Sequence, residues 1–61
     1  MDIERVVKRE LLTMMGYGMS KLEAQQYLYI SYEETVFDAL EEGDEEQAAI
    51  WQHAMEIVKN I

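Results

Sequence analysis

Apolar residues recur every three or four positions over three stretches of the chain, the spacing that places side chains on one face of a helix. The stretches span about 3–15, 21–42 and 45–60. All three glycines lie in the two segments between them, and the chain has no proline. The pattern predicts an all-α protein with a single domain, residues 1–61, built of three helices of which the last two form a hairpin.

The middle stretch has two interpretations. Ser31 begins the sequence Ser31-Tyr32-Glu33-Glu34, in which the serine can cap a new helix and a glutamate three residues later can reach back. If this cap is used, the middle helix is broken near 31 and the protein has four helices. Nothing near position 31 breaks a helix as glycine or proline would, so one helix over about 21–42 is favoured.

The segment 27–32 would make the middle helix apolar on several sides, because successive residues of a helix turn by about 100°. Three short helices cannot cover all these directions, and an uncovered apolar patch is typical of an interface. Self-association would also enlarge the core of a chain of only 61 residues without cysteine. We therefore expect a homodimer, a dimeric helical bundle. Its predicted contact residues are Tyr27, Tyr29, Ile30 and Tyr32. In the four-helix alternative the same residues are buried within one chain.

The whole chain has a formal net charge of −8 at pH 7, and its negative charge is concentrated in residues 22–61. Residues 1–21 hold four basic and three acidic groups, whereas residues 22–61 hold ten acidic groups and one basic group, Lys59. One interpretation is a solvated surface. The other is a surface that binds a partner through eight carboxylates: Glu33, Glu34, Asp38, Glu41, Glu42, Asp44, Glu45 and Glu46.

A basic protein fits such a surface, whereas direct binding of nucleic acid requires basic groups that face the phosphates. The sequence therefore favours a non-catalytic regulatory protein–protein interaction module. Its most concrete form is a small acidic inhibitor or antirepressor that occupies the basic nucleic-acid-binding surface of a partner. The alternative is a structural accessory subunit that docks into a larger assembly through its apolar and tyrosine-rich segment.

Candidate chemistry is sparse. His53 and Glu56 share one helical face, but a metal site in a helical bundle needs further ligands from other helices. Ser20 and Ser31 are explained by helix capping or by a position on a helix face. We therefore expect no catalytic residue, metal ion or cofactor, and no enzymatic activity. No apolar run approaches the roughly 20 residues of a membrane-spanning helix, and the N-terminus lacks a secretory apolar region, so we expect a cytoplasmic protein.

Overall fold

The computed structural model describes residues 2–61 and consists of three α-helices joined by short turns. Helix α1 spans Ile3–Gly16, α2 spans Lys21–Glu41 and α3 spans Glu45–Lys59. Residues 2–61 contain no strand. The predicted all-α fold class is thus confirmed, with a hairpin of α2 and α3 following α1.

Each helix begins at a residue whose side-chain oxygen accepts a hydrogen bond from the backbone N–H three residues later. Asp2 accepts from Arg5 at 3.2 Å, Ser20 from Glu23 at 3.1 Å, and Asp44 from Gln47 at 3.1 Å. Such caps satisfy N–H groups that have no partner inside the helix. The cap residues therefore fix where the helices start.

Two glycines in left-handed backbone conformations lie at the helix ends. Gly18, with φ of 100°, follows α1, and Gly43, with φ of 78°, follows α2. Glycine adopts this conformation without the clash that a Cβ atom would cause. Gly16 is the last helical residue of α1, and Gly18 supplies the left-handed turn that follows it.

Helix α2 is continuous across Ser31, whose backbone oxygen accepts a hydrogen bond of 3.0 Å from the Thr35 hydroxyl. Its 21 residues extend about 32 Å at a rise of about 1.5 Å per residue. The principal extents of the molecule are 36, 19 and 17 Å. Helix α2 therefore runs almost the full length of the molecule.

The core is divided into two clusters along α2. All three helices contribute to the larger cluster, and α2 and α3 alone contribute to the smaller one. We call the part around the larger cluster the three-helix half, and residues 33–52, around the smaller cluster, the two-helix half. The buried residues of the larger cluster are Ile3, Val7, Leu11, Ala24, Leu28, Tyr32, Ala54 and Val58, and those of the smaller are Val36, Ala39 and Ala48.

Trp51 and Met55 join the two halves, because each packs against both clusters. The sequence pattern predicts Trp51 within the core, but its side chain is only partly buried. Its ring lies against that of Tyr32, with 5.3 Å between the ring centroids. Small residues dominate the core at this end of the hairpin, so the indole fills the space beside Tyr32 without being fully enclosed.

Candidate functional site

The two-helix half holds the negative charge of the protein. Residues 33–52 contain all eight carboxylates of the predicted acidic surface and no basic residue. The rest of the chain contains five acidic and five basic residues and is formally neutral. One half of the molecule is thus strongly acidic while the other carries balanced charge.

Seven of the eight carboxylate residues are exposed, and Glu33 is partly buried. Within residues 2–61 the ion pair found lies in the other half, between Lys8 Nζ and Glu4 Oε1 at 3.0 Å. The carboxylates of the two-helix half therefore face solvent without a cation of the same chain beside them.

The helix dipoles stabilise some of these carboxylates and destabilise others. Glu45 and Glu46 lie in the first turn of α3, where the positive end of the dipole stabilises an anion. Glu41 and Glu42 lie at the C-terminal end of α2, which has no basic residue in its last turn. The dipole there disfavours negative charge, so part of the acidic surface lowers the stability of the helix that carries it.

The residues expected at a dimer interface do not share one surface. Tyr27 and Ile30 are exposed, and Tyr29 is partly buried. Tyr32 is only 3% exposed and belongs to the core, so its assignment to an exposed interface needs correction. The spacing that puts Tyr32 in line with Leu28 and Val36 places all three side chains on the buried side of α2.

Three further apolar residues of α2 are exposed and were not assigned to an interface from the sequence: Leu22, Phe37 and Leu40. Each is at least 51% exposed. Apolar residues occupy both the buried and the exposed side of this helix, so a search for a single apolar face does not separate them. Their spacing from Ile30 in the sequence places them on the same side of α2 as Ile30, away from the core. This spacing could have identified them from the sequence.

Two shallow depressions follow the seam between α2 and α3. Residues Leu22, Gln25, Gln26, Tyr29, Ile30 and Lys59 line the first, which has a volume of about 450 Å³. The second is lined by Glu33, Val36, Phe37, Gln52, His53, Met55 and Glu56. Residues of α2 and α3 alone line both depressions. Helix α1 therefore does not cover this side of the seam.

The Tyr32 hydroxyl is the buried polar group that stands out in this fold. No side-chain or backbone atom among residues 2–61 lies in hydrogen-bonding geometry with it. Burial, together with the charge of the Glu10 carboxylate on α1, raises the pKa of Tyr32 above its ordinary value. The tyrosine is therefore held neutral, and its position inside the three-helix half gives it no access to a partner.

Neither a metal centre nor a relative provides a further indication of function. Within the described residues no group of three or more His, Cys, Asp or Glu side chains is arranged to hold a metal ion. None of the three described helices has the length and apolarity required to cross a membrane. Comparison with protein-family models, curated proteins and solved structures gives no match.

Proposed function

We propose that this chain is a non-catalytic regulatory protein–protein interaction module whose two-helix half binds a basic partner protein. The most concrete form is a small acidic inhibitor or antirepressor that occupies the nucleic-acid-binding surface of that partner. The acidic residues would replace nucleic-acid phosphates as counter-charges for lysine and arginine side chains. No catalytic step, metal ion or cofactor is part of this proposal, and its setting is the cytoplasm.

The observation that carries this proposal is the division of charge between the two halves. Residues 33–52 have a formal net charge of −8, from eight acidic residues and no basic residue. Glu41 and Glu42 carry negative charge at the disfavoured end of a helix. A charge distribution that costs stability and leaves the rest of the chain neutral supports a role in binding.

A second candidate is a structural accessory subunit that docks through the exposed apolar residues of α2. The exposure of Ile30 and Phe37, at 56% and 62%, favours it. Apolar docking responds little to salt, whereas contacts between an acidic and a basic surface weaken as salt screens the charges. The two functions therefore differ in the salt dependence of partner binding.

The test is affinity capture from lysate of the source cells, with mass spectrometry of the retained proteins. The matched variant carries Glu41→Gln, Glu42→Gln, Glu45→Gln and Glu46→Gln, and keeps Asp44 as the cap of α3. We expect the unmodified chain to retain basic nucleic-acid-binding proteins and to release them at about 0.5 M salt, where charges are strongly screened. Added duplex DNA or RNA should displace them.

The quadruple variant should retain these proteins at least tenfold less, a change that corresponds to about 1.4 kcal/mol. A variant with Leu12→Glu, on the exposed face of α1, is the control for a change of charge elsewhere. Equal capture by the quadruple variant, or capture that persists at high salt, would contradict the acidic-surface proposal and favour the accessory-subunit function.

The proposed module acts as a homodimer. Exposed Tyr27 and Ile30 and partly buried Tyr29 support a contact along α2, and Tyr32 is excluded from it by burial. Association of two chains adds apolar burial that a 61-residue chain lacks by itself.

A further inference from the structure

One stripe of α2 lies on the side away from the core and is mostly apolar. Its positions are spaced by three or four residues, so they fall within about 80° of one another around the helix. We call it the outer stripe, and its residues are Leu22, Gln26, Ile30, Glu33, Phe37 and Leu40. All are exposed except Glu33, which is partly buried. The two depressions of the seam are lined by five of the six residues, all except Leu40.

We infer that the outer stripe is the contact between two copies of this chain, packed antiparallel about a two-fold axis near the middle of α2. This inference rests on the homodimer of the proposed function and specifies its face and direction. Of the predicted contact residues the stripe includes Ile30, while Tyr27 and Tyr29 lie outside it on either side. The occupant of the stripe is α2 of the second copy, lying along the open seam between α2 and α3.

Charge complementarity fixes the direction. The N-terminal end of α2 carries Lys21, and Lys59 of α3 lines the depression beside Leu22. The C-terminal end carries Glu41 and Glu42. An antiparallel arrangement brings each lysine-bearing end to the partner's acidic end, and it also opposes the two helix dipoles. A parallel arrangement would instead place the two acidic halves side by side.

Length and area favour complete overlap of the two helices. A stable dimer of ordinary size takes about 800 Å² from each partner, a substantial part of the 4387 Å² that this chain exposes. Helix α2 runs almost the full length of the molecule and offers its longest uncovered surface. Complete overlap puts Leu22 against the partner's Leu40, and it brings Lys59, in the depression beside Leu22, to the end of the partner's α2 that carries Glu41.

The central position of Glu33 has a specific consequence. With Leu22 opposite the partner's Leu40, the two-fold axis passes near position 31. The two Glu33 residues then lie on either side of it, about 6 Å apart along the helices, and their like charge opposes association. Glu34 carries the same charge but lies about 100° around the helix, outside the stripe. Removal of the Glu33 charge should therefore strengthen the dimer more than removal of the Glu34 charge.

Cysteine cross-linking tests the direction, because the chain has no cysteine of its own. Leu22→Cys and Leu40→Cys are made as separate variants; both leucines are exposed, so neither change disturbs the core. We expect an equimolar mixture to form disulfide-linked dimers under mild oxidation, whereas each variant alone stays largely unlinked. Efficient linking of Leu22→Cys to itself would show a parallel pair and would overturn the inference.

Sedimentation equilibrium at about 0.15 M salt, where the Debye length is ~8 Å, tests the face. Ile30→Glu should weaken association at least tenfold, whereas Leu12→Glu, which adds the same charge on α1, should change it by less. Glu33→Gln should tighten the dimer about two- to fivefold relative to Glu34→Gln, the size of an exposed charge pair. Equal effects of Ile30→Glu and Leu12→Glu would overturn the choice of face.

The dimer and the partner-binding function can fail separately. A 7.2 kDa species that stays monomeric at all concentrations would refute the dimer, while the capture experiment could still succeed. Conversely, Ile30→Glu retains every carboxylate of the two-helix half. If cross-linking succeeds and capture of basic proteins fails, self-association stands and the acidic-surface function falls.

Discussion

At the scale of single residues, Tyr32 combines two properties that ordinarily conflict. Its ring is central to the packing of the three-helix half and contacts Trp51. Its hydroxyl is buried without a hydrogen-bond partner among residues 2–61. A buried unpaired hydroxyl costs about 1–3 kcal/mol relative to one that is hydrogen-bonded, so the tyrosine is retained at some expense of stability.

Tyr32→Phe should therefore leave the free energy of unfolding unchanged or raise it by up to about 1 kcal/mol, because the ring stays and the unpaired hydroxyl is removed. Urea denaturation followed by circular dichroism measures the change. Tyr29→Phe, at a partly buried position of the same helix, is the control. A loss of more than about 1 kcal/mol on Tyr32→Phe would show that the hydroxyl is hydrogen-bonded in solution, with the Glu10 carboxylate as the acceptor.

The same substitution should also change the response to alkaline pH. The pKa of Tyr32 in the folded protein is raised by burial and by Glu10, so the folded state favours the neutral phenol. This contribution to stability is complete below about pH 10, the ordinary tyrosine pKa, and is lost as pH rises above it because the unfolded chain ionises first. Tyr32→Phe should lose less stability above about pH 10 than the unmodified chain; identical pH profiles would contradict this.

Trp51 is the residue whose loss should affect both halves. Trp51→Ala should cost about 3 kcal/mol, the lower end for removal of a large aromatic side chain, because the indole is partly exposed. A 61-residue domain has a total stability of about 3–9 kcal/mol, so a large part of it would be lost. Thermal unfolding followed by far-ultraviolet circular dichroism measures the effect, with Trp51→Phe as the control that keeps an aromatic ring. A melting temperature within about 3 °C of the parent would argue against this role.

At the scale of the helices, the ends of α2 and α3 offer a matched comparison. Glu42→Gln removes a negative charge next to the C-terminal end of α2 and should stabilise the fold by about 0.3–1 kcal/mol. Glu45→Gln removes one from the first turn of α3 and should have a smaller or opposite effect. Each variant removes one negative charge from the same acidic turn, so their difference in urea denaturation at equal protein concentration reports mainly the helix dipoles.

The helix boundaries could be predicted because they depend on local chemistry. Asp2, Ser20 and Asp44 are capping residues in the sequence and cap the helices in the structure. Ser31 has the same local pattern but lies inside α2. Its environment is decided by Leu28 and Tyr32, which pack against α1 and α3, and such contacts are not local. Sequence periodicity therefore located the helices and left the middle one ambiguous.

In the candidate site, the exposure of the acidic residues could be predicted from local chemistry, whereas the orientation of the apolar residues of α2 could not. Seven of the eight acidic residues are exposed as expected, because charged side chains are seldom buried unless they are paired. Which apolar residues of α2 face outward depends on where α1 and α3 lie around it. Tyr32 faces inward, while Phe37 faces outward, although both belong to apolar clusters in the sequence.

At the scale of the whole molecule, the proposed functions depend on two surfaces that share Glu33 and otherwise differ. The outer stripe runs along α2, and five of the eight carboxylates lie at 41–46, around the turn between α2 and α3. In the antiparallel dimer, the two acidic halves would lie at opposite ends. Each end could then engage a basic partner while the apolar contact between the copies remains closed.

The concentration of negative charge in one half of the molecule also affects the rate of association with a partner. A molecule 36 Å long with its net charge in one half experiences a torque in the field of a positive surface. It turns while it diffuses and arrives with its acidic end foremost, so a larger fraction of collisions is productive. Even distribution of the same −8 charge over the surface would give similar solubility without this orientation.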